Sequence, residues 1–190
     1  MSTDARRRML RSAIHLFRQH GYSGTGFRDV IAHSGAPRGS IYHHFPGGKA
    51  ELGVEVVRRV GGRIAANLDA LAEQGHPLEL LAALVGPWRD GVIESEFRGG
   101  CPILAVAVED HPDAPQLRAA AAVAFDRWQG PLGESMRRAG ADPERARRLA
   151  ALVVASLEGA IVLCRVTRTI EPLDQVVEEL EEAVRSAVSQ

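Results

Sequence analysis

The side chains with the greatest capacity for chemistry are concentrated in the segment RGSIYHH, residues 38–44. This segment combines a guanidinium, a glycine, a hydroxyl, a phenol and two imidazoles within two helical turns. Ile41 and Phe45 lie one turn apart and are expected to face inward, so the remaining side chains face outward. Polar groups of this kind on an exposed helix suit hydrogen bonds to DNA bases and phosphates. The candidate DNA contacts in this segment are Arg38, Gly39, Ser40, Tyr42, His43 and His44.

Each of several candidates has a predicted role in DNA binding, and some could instead have only a structural role. Arg38 can donate two hydrogen bonds to guanine, the commonest specific base contact in the major groove. Gly39 leaves room for the helix to approach the groove closely. Tyr42 can contact a thymine methyl group or a phosphate, but it could instead pack within the protein. His43 can reach a base edge or a phosphate, whereas the adjacent imidazoles could also form a solvated surface.

Two short helices joined by a tight turn are expected to position these side chains. The apolar spacing predicts a helix over Phe27–Ser34, begun by Thr25 or Ser23. Gly35-Ala36-Pro37 interrupts the pattern, and a second helix is predicted over Arg38–Phe45 with the proline at its first position. A helix-turn-helix of this kind places its second helix in the DNA major groove.

Residues 10–52 resemble the DNA-binding head of the TetR family of transcriptional regulators. The match is long, ordered and without gaps, and its one noted departure is Pro37, where the family often has a helix-capping serine. The residues that carry the resemblance are Leu10, Ala13, Ile14, Phe17, Gly21, Tyr22, Thr25, Arg28, Asp29, Val30, Ile31, Ala32, Gly35, Arg38, Gly39, Ser40, Ile41, Tyr42, His43, His44, Phe45, Lys49 and Leu52.

The resemblance implies two domains, a helix-turn-helix DNA-binding domain over residues 1–48 and a helical ligand-binding and dimerisation domain over residues 49–190. It implies a homodimer that binds a palindromic double-stranded DNA operator as a repressor. A small, largely apolar effector would then release the repressor from its operator. The alternative is an activator, or a constitutive DNA binder without small-molecule control.

The resemblance also implies phosphate contacts from Thr25, His44 and Lys49. Thr25 and Lys49 lie near predicted helix N-termini, whose backbone N–H groups attract phosphate. Arg28 is a further candidate, although it could instead pair with Asp29 or with Asp4.

Charge is divided unevenly along the chain. Residues 1–49 contain eight Arg or Lys and two Asp, a formal charge of +6. The rest of the chain carries a formal charge of −7, although the whole chain has a net charge of only −1. A basic head on an acidic body suits a polyanion that binds at one end.

The whole sequence predicts an all-α fold of about nine helices, because its connections are short and it contains no pattern of paired strands or repeats. The segment Cys101–Glu109 is short and apolar, so a strand competes with a helix there, and the helical neighbourhood favours a helix. Gly61-Gly62 weakens a long helix that starts at Lys49 and favours a bend. The other predicted helices are 4–20, 78–97, 114–139, 143–168 and 172–188, with Asp142 as N-cap and Pro143 first in its helix.

The last two helices, about residues 143–188, are predicted to form the homodimer. A helix that is apolar nearly all round must be buried on more than one side. Its main face is predicted to contain Leu149, Leu152, Val153, Leu157, Ala160, Ile161 and Cys164. The alternative is that both helices only close the core of one protomer.

The effector is predicted to contact a mostly apolar set of side chains in the body, for each of which ordinary core packing is the alternative. Glu158 stands out in an apolar stretch, where it could orient a polar ligand or pair with Arg127 or Arg165. The turn Gly100-Cys101-Pro102, the apolar segment after it and Glu109 resemble a TetR branch that controls drug-export genes. The predicted effector contacts are Trp88, Val92, Phe97, Cys101, Leu104, Phe125, Trp128 and Glu158.

Other functional classes find little support in the sequence. It has no G-x-S-x-G elbow. Cys101 and His111 lack a third group that would support them as a catalytic thiol and its base, so we do not expect the protein to be an enzyme. The adjacent His43 and His44 lack the i, i+4 spacing of a metal site, and no cofactor is expected. The apolar stretch Leu149–Cys164 is expected to fall short of a bilayer span. With two distant cysteines and no secretory segment, the protein is expected to be cytoplasmic and not membrane-bound.

Overall fold

The computed structural model describes residues 2–37, 39–72 and 75–188, with side chains from Asp4 onward. Within these residues the chain is all-α, with nine helices and no strand, which confirms the predicted fold class. The helices are α1 (Ser2–His20), α2 (Phe27–Ser34), α3 (Ser40–His44), α4 (Gly48–Ala72), α5 (Pro77–Glu94), α6 (Pro102–Ala107), α7 (Pro115–Arg138), α8 (Pro143–Thr167) and α9 (Glu171–Val188).

The residues up to Val60, together with Cys101–Ala124, form one compact unit. It contains α1, α2, α3, α6 and the first parts of α4 and α7. Helix α1 packs against α2, α3 and α6, so the predicted DNA-binding helices share a core with a helix from much later in the chain. The most deeply buried side chains here include Met9, Phe17, Val30, Ile41, Phe45, Leu52, Ile103 and Leu117.

Gly61–Gly100 and the residues from Phe125 onward form a second compact unit. Helices α5, α8 and α9 pack on one another in it, and an Arg89–Asp174 ion pair joins α5 to α9. Buried side chains of this unit include Leu80, Leu84, Val92, Trp128, Leu132, Met136, Val153, Ile161, Leu173 and Val184. The predicted boundary between a DNA-binding domain (1–48) and a ligand-binding and dimerisation domain (49–190) divides the chain by function, and it stays a prediction.

Several predicted helix boundaries are confirmed. Helix α2 has the predicted bounds, and Gly35 ends it in the left-handed conformation, with φ of 63°. Asp142 is the N-cap of α8, where its carboxylate accepts a hydrogen bond from the N–H of Arg145. The segment after Cys101 is the helix α6, so the competing prediction of a strand was wrong.

The N-cap of α2 and the start of α3 differ from the prediction. Gly26, not Thr25 or Ser23, is the N-cap of α2, and its N–H donates to the carboxylate of Asp29 at 2.7 Å. Helix α3 begins at Ser40 and not at residue 38, because Gly39 has φ of 85° and interrupts any helix before it. Pro37 therefore lies in the turn and is not the first residue of α3.

Helix α5 ends at Glu94, short of the predicted Phe97. The backbone turns out of the helix because Glu96 and Phe97 have φ of 51° and 61°. The Phe97 N–H still donates to the carbonyl of Val92 at 2.9 Å, which satisfies a carbonyl at the end of the helix.

Helix α8 has a buried face and an exposed apolar face. Leu152 is exposed, which corrects its predicted place on the buried face beside Leu149 and Val153. The exposed face also presents Leu163 and Val166, exposed by 52% and 76%, and more small and apolar residues: Ala155, Gly159 and Val162. A hypothetical Cβ at Gly159 would have no neighbour within 4 Å, so another backbone has room to approach here.

Helix α8 is longer than the apolar stretch Leu149–Cys164, which was expected to fall short of a bilayer span. By length and composition alone, α8 is long and apolar enough to cross a membrane. Half of its most apolar 18-residue window is buried inside the protein, and a core helix of a soluble protein has the same properties.

Candidate nucleic-acid interface

The candidate interface lies on α3 and the turn before it. Ile41 and Phe45 are completely buried, which confirms their predicted inward orientation and fixes the opposite face of α3 outward. Gly39 has its positive φ in open space, since no atom lies within 4 Å of a hypothetical Cβ. Its backbone conformation is therefore a second reason for glycine, beyond the predicted close approach to DNA.

Tyr42 is the most prominent side chain of α3 and is 65% exposed. The ring of Phe27, at the start of α2, meets it edge to face with 5.3 Å between ring centroids. The Tyr42 ring therefore packs against Phe27 but is still accessible to solvent, so packing and DNA contact are compatible roles for it. Its DNA contact stays a prediction.

The other described candidates of α3 differ in exposure. Ser40 donates its hydroxyl hydrogen to the carbonyl of Pro37 at 2.7 Å and so stabilises the turn. His43 is exposed and His44 is half-buried, and their rings meet edge to face at 5.3 Å. Arg38, the predicted guanine contact, lies outside the described residues.

Arg28 is exposed at the start of α2. The two carboxylates proposed as its partners are engaged elsewhere, because Asp29 accepts from Gly26, whereas Asp4 pairs with Arg7 and Arg8. Arg28 is therefore accessible to a phosphate, and that contact stays a prediction.

Thr25 and Lys49 both lie beside the turn between α1 and α2. Thr25 is buried and donates its hydroxyl hydrogen to the carbonyl of Gly21 at 2.9 Å. The Lys49 ammonium lies 4.4 Å from the ring centroid of Tyr22 and 3.4 Å from the carbonyl oxygen of Ser23. Partial burial lowers the pKa of Lys49, and the charges of Glu109 and Asp29 oppose that effect.

A pair of stacked imidazoles, His15 of α1 and His33 of α2, is a feature that the sequence analysis missed. Their ring centroids are 4.8 Å apart, and Nδ1 of His33 lies 2.9 Å from the hydroxyl oxygen of Ser12. Desolvation lowers the pKa of His15, and the charges of His33, Arg18 and His20 add to this. The pair therefore joins α1 to α2 best when it is uncharged.

We expect a proton nuclear magnetic resonance titration to show a pKa for His15 below the ordinary 6.5. Because the folded unit binds this proton less readily than the unfolded chain, the contribution to stability is complete above 6.5. It is lost as the pH falls from there through the lowered pKa. The control His33→Gln should raise the pKa of His15, and an unchanged value would contradict the coupling.

The predicted effector contacts in the second unit are mainly core residues. Trp128 is 1% exposed and donates its indole N–H to the carbonyl of Gly61 at 3.1 Å. Its ring centroid lies 5.4 Å from that of Phe125 and 6.2 Å from that of Trp88. Val92 is fully buried as well. These contacts agree with the core-packing alternative, and effector binding by these residues stays a prediction.

Glu158 is a buried carboxylate on α8, with 8% exposure. Arg127, one of its two proposed partners, pairs with Asp69 at 3.3 Å instead. A groove of about 260 Å³ lies elsewhere in this unit, and no predicted effector residue lines it. The groove is formed by α7 and α8 through Gln129, Gly130, Gly133, Glu134, Arg137, Pro143, Ala146, Arg147 and Ala150.

Cys101 and Leu104, the remaining predicted effector contacts, belong to the first unit. The sulfur of Cys101 caps α6 by accepting from the N–H of Leu104 at 3.4 Å. Cys101 is buried and Leu104 half-buried, so both have a structural role in starting this short helix.

Two family models match the chain. "Bacterial regulatory proteins, tetR family" matches residues 9–56, and "Transcriptional regulator LmrA/YxaF-like, C-terminal domain" matches residues 77–179. The second match alone covers more than half of the chain. The chain belongs to the TetR family of transcriptional regulators.

Relatives of this TetR-family regulator agree in sequence and in fold. An uncharacterized HTH-type transcriptional regulator of Mycobacterium tuberculosis (strain CDC 1551 / Oshkosh) is 46% identical over 181 residues, covering 92% of this chain and 91% of the relative. The HTH-type transcriptional regulator LmrA of Bacillus subtilis (strain 168) is 33% identical, covering 90% and 91%. The regulatory protein TetR of Rhodobacter sphaeroides superposes with a TM-score of 0.82 at 25% identity, covering 94% and 98%.

The family membership confirms three predictions. The protein is a DNA-binding transcription regulator with a helix-turn-helix, as the resemblance over residues 10–52 implied. Its relatives are regulators, so it is not an enzyme. Its all-α architecture matches those of solved TetR regulators.

Proposed function

We propose that this TetR-family regulator binds a palindromic operator as a homodimer and represses transcription until a small, largely apolar effector releases it. The observation that carries the proposal is the outward face of α3, where Tyr42 and His43 are exposed on a helix that Ile41 and Phe45 anchor in the core. The formal charge of +6 over residues 1–49 adds the attraction to phosphate that DNA binding requires.

The contacts divide into two kinds by their chemistry. Arg38, Tyr42 and His43 are proposed to contact base edges, where hydrogen bonds and methyl contacts carry sequence information. Gly39 and Ser40 let the start of α3 approach the groove. Phosphate contacts are proposed for Thr25, Arg28, His44 and Lys49.

The homodimer is proposed to form through α8 and α9. The exposed apolar face of α8 would be unfavourable in water, and a second copy of the same face covers it symmetrically. Two symmetrically placed copies of α3 then match the two half-sites of a palindrome.

The effector is proposed to bind in the helical body and to favour one of two arrangements of the paired heads. It can shift their equilibrium only as far as its affinities for the two arrangements differ. The protein is proposed to act in the cytoplasm and not to bind a membrane. If no compound from a diverse apolar collection releases it from DNA, the alternative of a constitutive binder or an activator is favoured.

We expect Lys49→Ala and Arg38→Ala to have different effects on DNA binding. Loss of the Lys49 phosphate contact should weaken binding to all duplexes and reduce the slope of log K against log salt by about one. Loss of Arg38 should remove about 1–3 kcal/mol of discrimination at one base step. A gel-shift titration at several salt concentrations, using a duplex selected from random DNA and its single-base variants, measures both effects.

The same selection provides the direct test of the proposed function. A palindromic sequence among the selected duplexes supports DNA binding by a symmetric dimer. Similar behaviour of the two variants would contradict the proposed division between phosphate and base contacts. Wild-type protein with no preference for any duplex would contradict the operator proposal.

A further inference from the structure

The segment that follows α6 contacts the turn between α1 and α2. Glu109, directly after the last capping residue of α6, places its carboxylate on Ser23. The Ser23 N–H donates to Oε2 at 3.0 Å and to Oε1 at 3.2 Å. The Ser23 hydroxyl also donates to Oε2. One residue of the turn is therefore held through both of its donors by a carboxylate 86 positions later in the chain.

Gly21 and His111 lie beside the contact between Glu109 and Ser23. Gly21 has φ of 77°, and a hypothetical Cβ there would lie 3.1 Å from Oε1 of Glu109, so a larger residue would be strained and crowded. The ring of His111 meets Tyr22 edge to face, with centroids 4.6 Å apart. Nε2 of His111 lies 3.1 Å from the carbonyl oxygen of Val106, which only accepts, so this nitrogen carries the hydrogen.

Lys49 contacts the same two turn residues that this segment holds. Its ammonium donates to the carbonyl of Ser23 at 3.4 Å and lies over the face of Tyr22 at 4.4 Å. Glu109 holds the N–H and hydroxyl of Ser23, and the carbonyl oxygen of the same residue accepts from Lys49. The negative charge of Glu109 also opposes the burial that lowers the pKa of Lys49.

We infer that Glu109 is a positioning residue for DNA binding, which holds Ser23 so that Lys49 is presented as a charged phosphate contact. The inference rests on the proposed operator binding. It assigns a role in that binding to a residue outside the predicted DNA-binding domain.

The Glu109 carboxylate has a second, opposite effect on DNA binding to consider. A carboxylate near a phosphate contact could simply repel DNA, and its removal would then strengthen binding. Glu109→Gln separates the two effects, because an amide oxygen still accepts from Ser23 but carries no charge. Glu109→Ala removes both the charge and the acceptor. Asp110→Ala is the matched control, because it removes a neighbouring exposed carboxylate.

The test is a salt-dependent binding titration of the full-length variants on the duplex selected with wild-type protein. We expect Glu109→Ala to weaken binding ~3- to 10-fold, the scale of one hydrogen bond, with Glu109→Gln and Asp110→Ala close to wild type. Glu109→Ala combined with Lys49→Ala should bind no more weakly than Lys49→Ala alone, because both changes disable one contact.

A measurement without DNA guards against loss of folding. Amide hydrogen exchange at Ser23 should accelerate in Glu109→Ala but not in Glu109→Gln, whereas exchange within α1 should stay slow in both. Unchanged or tighter DNA binding by Glu109→Ala would overturn the inference, and so would full additivity with Lys49→Ala. Wild-type protein that prefers no duplex would instead overturn the proposed function.

Discussion

Leu163→Glu is expected to leave the chain monomeric and to lower its affinity for a palindromic operator by ~100-fold or more. Leu163 lies on the exposed apolar face of α8, the face proposed to meet its own copy. In a twofold-symmetric interface a single substitution introduces two unpaired carboxylates, one from each copy. Taking an unpaired charge out of water costs several kcal/mol, and 1.4 kcal/mol corresponds to a factor of ten in affinity.

The experiment pairs analytical ultracentrifugation with operator titration. Since Leu163 is half exposed in one protomer, the substitution should leave the fold of the monomer intact, and circular dichroism checks this. Val123→Glu is the matched control, because this valine of α7 is exposed by 59% and lies outside the α8 face. A Leu163→Glu protein that stayed dimeric and bound the operator normally would exclude this face as the interface.

The exposed face of α8 also shows how far the sequence could predict the structure. The apolar pattern of the sequence predicts that this helix is buried on more than one side. Which apolar residues meet the protein's own core depends on where α5 and α9 pack. Leu152 lies on the exposed face with Ala155 and Gly159, although its apolar character alone placed it with Leu149 and Val153.

The helix-turn-helix was predicted well where local signals agree. Apolar spacing and Gly35 defined α2 and its end, and the inward orientation of Ile41 and Phe45 followed from a separation of one turn. The start of α3 was wrong because Pro37 suits both the first position of a helix and a turn. Only the backbone conformation of Gly39 decides between these two.

Contacts between distant segments were beyond the sequence. Nothing in the chain pairs Glu109 with Ser23, because the contact depends on α6 packing against α1. The stacking of His15 on His33 depends in the same way on α1 packing against α2. Composition and spacing predicted the helix that is proposed to contact DNA, whereas the contacts of Glu109 and His15 became visible only in three dimensions.

Trp128→Ala is expected to cost about 3–5 kcal/mol of unfolding free energy, the usual scale for truncating a buried aromatic side chain. Trp128 is among the largest fully buried side chains, and it packs between Phe125 and Trp88 in the second unit. Trp128→Phe keeps most of the ring contacts and loses the N–H donated to Gly61, a net loss of about 0.5–1.5 kcal/mol for the hydrogen bond. Urea unfolding followed by circular dichroism measures both losses.

The same two variants decide between core packing and effector contact for Trp128. If the residue serves only the core, Trp128→Phe should lose a little stability and still be released from DNA by the same effector concentration. If its indole also contacts the effector, the release concentration should rise by more than the small loss of stability explains. Leu132→Val is the matched control, because it loses a little packing at a fully buried residue that is not among the predicted effector contacts. A Trp128→Ala protein that unfolded at the wild-type urea concentration would contradict the core assignment, because a cavity of that size cannot form without cost.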